Sequence, residues 1–201
     1  ARRSLRNVCL SYLLRTQSGP DLAQAQLSES DNMTDTLAAL QGLAWTGAPG
    51  AASALRDFER RWRDDSLVMD KWFAIQASVP GSGTVDRVRE LLEHPAFSIT
   101  NPNKVRSLLG AFSMLNPTGF HAPGGAGYRL MADQVIALNE LNPQVAARMA
   151  VAFNSWTRYD AVRRELIERE LMRIQGTSGL SPDVSEIVSN ALAMNSGGDL
   201  A

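Results

Sequence analysis

Two histidines, one cysteine, a short run of glycines and a few isolated arginines are the residues of this 201-residue chain whose types could do chemistry. A zinc peptidase helix carries two His four apart with a Glu between them, so that both imidazoles face one metal and the carboxylate activates its water. Here Glu93 precedes His94, but His121 stands far away, and no second pair exists. Cys9 lies in the apolar run Leu5, Val8, Leu10 and Leu13, where it reads as a small core residue rather than a nucleophile. Gly124-Gly125-Ala126-Gly127 could cradle an anion at the start of the next helix. It lacks the Lys-Ser/Thr of a phosphate loop and a preceding strand, so it reads as a helix connection. His121, just upstream, either pins that connection by a hydrogen bond or takes part in chemistry. The residues thus supply no metal-binding set, while a Ser/His/Asp or Cys/His constellation, whose members meet in space rather than in sequence, stays open.

Arginines are the stronger candidates. Between Pro143 and Ser155 the only ionisable side chain is Arg148, in the run Val145, Ala146, Ala147, Met149, Ala150, Val151, Ala152 and Phe153. A helix apolar nearly all round is expected to be buried, and a guanidinium inside it must pair with a carboxylate or line a wet cavity. Gln144 lies one turn earlier on the same face. Arg106 flanks the core stripe Val105, Leu108, Leu109 and Phe112 and shares its side with Gly110 and Ser113, residues small enough to admit a close approach. A structural ion pair is the ordinary outcome for such arginines, and a ligand-facing role is the alternative.

The elements that must hold these residues are helices. Pro20, Pro102, Pro117, Pro143 and Pro182 stand at the start of apolar-periodic segments, the last four behind Asn or Ser. Such a side chain takes an orphan N–H, and Pro at the first helical position lacks one. Asn32 with Asp35 has the same capping layout. Helices are expected near 3 to 17, 20 to 29, 32 to 46, 48 to 65, 67 to 78, 83 to 93, 102 to 115, 117 to 121, 126 to 140, 142 to 155, 158 to 175 and 181 to 194. No period-two alternation is sustained. The expected fold is all-α, with stacked antiparallel helix pairs in an armadillo-like or HEAT-like superhelix. Trp45, Trp62, Trp72 and Trp156 read as packing residues, and the charge-rich stretches 56 to 65 and 158 to 173 as solvated faces.

Composition excludes whole function classes. With 44% apolar residues the chain can bury a core and is not disordered. It forms one compact unit or two small ones. Twenty Lys plus Arg against twenty-one Asp plus Glu gives no broad phosphate-binding surface, so nucleic acid is not the expected partner. One cysteine makes no internal disulfide and points to a reducing compartment. No stretch has the roughly 18 apolar residues of a membrane span. The expectation is a soluble, cytoplasmic protein with no membrane contact.

Several segments together resemble the C-terminal region of bacterial aminopeptidase N: Asp31-Asn32-Met33-Thr34-Asp35, Asp70-Lys71-Trp72-Phe73-Ala74, Asn101-Pro102-Asn103-Lys104-Val105-Arg106, Phe120-His121-Ala122, Asn142-Pro143-Gln144-Val145-Ala146 and Arg158-Tyr159-Asp160. They occur in that order over roughly residues 30 to 175, and residues 1 to 30 match least well. The resemblance implies a zinc metallopeptidase that removes N-terminal residues from peptides, of gluzincin type. In that family a metal-bound water attacks the peptide carbonyl with a Glu as general base. The metal and substrate-recognition motifs belong to a catalytic domain and do not occur in this sequence. The chain then resembles a single excised helical C-terminal domain, residues 1 to 201, which would also account for a start at Ala1 rather than Met. No cofactor is expected in this chain, with Zn2+ in the parent enzyme's catalytic domain. The implied partners are the parent's catalytic and β-domains and peptide substrates. Carried over by position, Arg106, Gln144 and Arg148 match cavity-facing residues that approach bound peptide. The rival reading is a free-standing α-helical solenoid that binds a protein or peptide partner.

Overall fold

The computed structural model describes residues 1 to 194, and these contain helices and turns but no strand. They divide into two compact units, Ala1–Val79 and Pro80 onward.

The first unit holds α1 (Arg2–Leu13), α2 (Gly19–Glu29), α3 (Met33–Thr46), α4 (Ala51–Trp62) and α5 (Ser66–Ala77). The caps were legible: Asn32 Oδ1 accepts from the Asp35 N–H at 3.1 Å, and Asp65 accepts from Leu67 and Val68. The middle helix α3 packs against α1, α2, α4 and α5 and buries Ala39, Leu40 and Leu43 completely. Trp72, also buried, donates its indole N–H to the Leu55 carbonyl at 2.9 Å. At Gly19 no side chain fits, because a Cβ would lie 2.1 Å from the Leu13 carbonyl oxygen, so the turn from α1 into α2 depends on glycine.

Two expectations fail here. The first helix stops at Leu13 rather than running to 17. Cys9 is exposed, not core. The apolar residues of α1 are spread around its circumference: only Leu10 is buried within the helix, while Leu5, Val8 and Tyr12 stay exposed. Cys9 belongs to the outward majority.

The second unit contains α6 (Thr84–Leu92), α7 (Pro102–Val105), α8 (Ala111–Leu115), α9 (Pro117–Phe120), α10 (Ala126–Leu141), α11 (Pro143–Ala150), α12 (Ala161–Gln175) and α13 (Pro182–Ala193). Asn101, Asn116, Asn142 and Ser181 each cap the helix that Pro opens, as the Asn-Pro and Ser-Pro pairs predict. Consecutive helices pack in pairs, α10 on α11 and α12 on α13, with further contacts of α10 with α12 and α11 with α13. Phe112, Phe120, Tyr128, Phe153 and Trp156 fill the interior between them. Residues 102 to 115, expected as one uniform helix, are interrupted by a π-turn over Arg106–Gly110.

Candidate functional site

Arg106 occupies the first position of that π-turn, where one extra residue widens the helix; such turns recur at functional sites. Its side chain is exposed, and its Nη2 donates to Asn103 Oδ1 at 2.8 Å, one turn back. Asn103 thereby holds the guanidinium along the helix surface. Gly110 closes the π-turn and is buried. A Cβ there would meet Arg106 Cγ at 3.5 Å and Met149 Cε at 4.0 Å. The close approach anticipated from the small residue is therefore made by Met149 of α11, which brings the helix of Arg148 beside the π-turn.

Gln144 and Arg148 stand one turn apart on α11, both exposed. The expectation that this helix is buried all round is corrected: only Ala146 and Ala150 are buried, one turn apart on the opposite side. The helix is short, ending at Ala150 in a 3-10 turn over Val151–Phe153 rather than continuing to 155. Two alanines suffice to seat it, so its other face stays in solvent and Arg148 needs no buried carboxylate. Arg148 makes no side-chain hydrogen bond or ion pair among the described residues. Its charge is free to meet an external group.

The second unit also builds a hydrogen-bonded cluster around His121. The ring Nδ1 lies 2.9 Å from the Tyr128 hydroxyl and Nε2 lies 2.8 Å from the Tyr159 hydroxyl. Arg163 Nε donates to the His121 carbonyl oxygen at 2.8 Å, and its Nη1 pairs with Asp160 at 2.6 Å. Burial, with the Arg163 charge adding to it, holds the imidazole below its ordinary value of 6.5. Burial also pushes the Tyr128 hydroxyl up to about 12. Of the two readings of His121, pinning of the connection is what this geometry performs. Periodicity marks neither tyrosine as a partner of the ring: Tyr128 lies seven residues on, across the glycine connection, and Tyr159 lies 38 residues on.

Among the described residues no group of three or more His, Cys, Asp or Glu could hold a metal ion. Both His121 nitrogens are engaged by tyrosines. Among the described residues the donor set does not fit the zinc that the resemblance brings with it. No described helix is long and apolar enough to cross a membrane.

Comparison with known proteins agrees with the helical architecture. Residues 1 to 193 match the family model DUF3458_C, described as a domain of unknown function with ARM repeats. Aminopeptidase N of Haemophilus influenzae is 43% identical over 192 residues, and that of Escherichia coli strain K12 is 40% identical over 195. Each match covers 96% of this chain but only 22% of the relative, so the chain spans about a fifth of their length. The crystal structure of Legionella pneumophila aminopeptidase A in complex with aspartic acid superposes with a TM-score of 0.89 at 35% identity, over 96% of this chain and 23% of that one.

Proposed function

We propose, from the premise that this chain belongs to the DUF3458_C family of ARM-repeat domains, that it is the non-catalytic helical part of a zinc aminopeptidase acting on peptide N-termini. In this reading the helices wall the chamber of the larger enzyme and limit entry to unfolded peptide. Arg106, Gln144 and Arg148 meet the peptide. Zinc and the reacting groups belong to the remainder of the relatives' length.

The observation that carries the reading is Arg148: an exposed guanidinium with no ion pair among the described residues, one turn from Gln144, on a helix that touches the Arg106 π-turn through Met149 and Gly110. Two cations and an amide on adjoining helices suit a peptide's carboxylates and main-chain carbonyls. The partner part of the reading draws on the first unit. Leu5 at 67%, Val8 at 51% and Tyr12 at 75% exposure leave α1 with an uncovered apolar side, of the kind that packs on further protein.

Full-length enzyme carrying Arg148→Ala tests this. The expected result is a KM for peptide raised about threefold to tenfold, as for loss of one charged hydrogen-bonding group, with zinc content and thermal midpoint unchanged. Unchanged kinetics with a lowered midpoint would overturn it. The separate 201-residue chain should neither bind zinc stoichiometrically nor cleave aminoacyl anilides; zinc-dependent turnover by that chain would defeat the non-catalytic assignment.

A further inference from the structure

We propose that His121, held between the Tyr128 and Tyr159 hydroxyls, is a proton-sensitive latch that fastens the corner between α9 and α10 to the turn before α12 and opens when the ring is protonated. The latch does not depend on whether Arg148 binds peptide.

A neutral imidazole has one donor and one acceptor nitrogen, whereas imidazolium has two donors. Tyr128 is fully buried, and its hydroxyl lies against His121 Nδ1; Tyr159 is only partly buried, so its hydroxyl can also reach water. The arrangement that leaves nothing stranded has Tyr128 donating to an unprotonated Nδ1 and Nε2–H donating to Tyr159. Protonation falls on Nδ1. The Tyr128 hydroxyl must then turn to accept from Nδ1–H, which strands its own buried proton without an acceptor among the described residues and costs the hydrogen bond it donated.

The charged and titratable groups around the ring are Tyr128, Tyr159, Asp160 and Arg163. Tyr128 comes from α10, and Tyr159 with Asp160 from the turn before α12. Arg163 comes from α12, and its guanidinium bonds the carbonyl of His121 itself. Asp160 is occupied by Arg163 and does not reach the ring in any hydrogen bond among those described. A charged imidazole therefore meets a second cation and no free carboxylate.

The ring also sits where release would matter mechanically. It stacks on Tyr159 with centroids 4.2 Å apart and abuts Phe120 edge-on at 4.9 Å. The corner it fastens is tight at its other end, because a Cβ on Gly127 would stand 2.4 Å from the Phe120 carbonyl oxygen. Between these two points Gly124 and Gly125 take φ of 91° and 69°, and Leu166 of α12 lies against Gly125, so the corner rests directly on the helix that follows Tyr159.

Hydrogen exchange read by mass spectrometry on the intact natural protein tests the latch. Peptides covering 117 to 130 and 154 to 165 should gain about fivefold in corrected exchange between about pH 7.5 and about pH 5, while Thr84–Leu92 in the same unit serves as the unaffected reference. His121→Gln keeps an amide in the site but cannot titrate there, and should abolish the pH response. Tyr128→Phe removes the partner of Nδ1 and should move the response to higher pH, whereas Tyr159→Phe should not. A wild-type profile flat in pH, a His121→Gln profile that still responds, or a Tyr128→Phe midpoint that does not rise each overturns the proposal. Should His121→Gln fail to fold, the contrast between the two tyrosine variants decides.

Discussion

At the scale of single residues, half-buried His121 and buried Asp35 are both held below their ordinary values, so each loses its contribution to stability as pH falls. His121 is held below 6.5 when folded, so the unfolded chain binds the extra proton first as pH falls. Its contribution to stability is complete above about pH 6.5 and declines as pH drops from there toward the folded value. Asp35, in the first unit, is held below 3.8, first by the hydrogen bond from Asn32 and further by Asn7 and the Arg6 and Arg3 charges. Its contribution is present above 3.8 and is lost as pH falls through the lower folded value. Asp35→Asn should lower the thermal midpoint at neutral pH and remove the part of the acid destabilisation assigned to this carboxylate, measured by thermal scans at a series of pH values. Half of this was readable beforehand: Asn32 and Asp35 announce a cap by their spacing. That Gln26 and Asn7 would complete the cluster, with Gln26 Nε2 donating to both Asn7 Oδ1 and the Asp35 carbonyl, depends on two other helices arriving.

Elements were legible where backbone chemistry is local and illegible where neighbours decide. Asn101, Asn116, Asn142 and Ser181 end one segment and begin the next by their own hydrogen bonds, so their helices start where the sequence says. The faces of α1 and α11 were misjudged for one reason. Apolar residues in excess of what a face needs hide which side is buried. On α11 the two alanines that dock are the smallest apolar residues available, and the larger Val145 and Met149 remain half-exposed. Glycine positions are where elements can be tested most sharply. Gly127→Ala places a methyl against the Phe120 backbone, which cannot yield, and should cost about 2 to 4 kcal/mol in urea unfolding. Trp156, 1% exposed, donates to the Ala191 carbonyl at 2.8 Å and ties the turn before α12 to α13. Trp156→Phe keeps most of the packing and loses this bond, for an expected loss of about 1 to 2 kcal/mol together with faster exchange in Pro182–Ala193.

For the molecule as a whole, the two units each carry one of these acid-sensitive groups, Asp35 in Ala1–Val79 and His121 in the other. Acidification should therefore loosen the second unit first, from about pH 6.5 downward, and the first only near the carboxylate range. Exchange measured on peptides from each unit across that span checks the order, and simultaneous loss would contradict it. The all-α architecture was evident from Pro and Asn placement. The π-turn was not, because nothing in Arg106-Ser107-Leu108-Leu109-Gly110 distinguishes an i to i+5 bond from an i to i+4 bond. A π-turn is a helix that has accepted one residue too many and absorbed it locally, leaving both flanks in phase. Residues 106 to 110 are thus the one stretch of this helix where a codon could be lost in descent without disturbing the Asn101 cap or the burial of Phe112. The guanidinium of Arg106 would swing to a new bearing, by up to about the 100° that separates neighbouring residues around an α-helix. Chain length at this turn is a heritable dial on what that arginine faces.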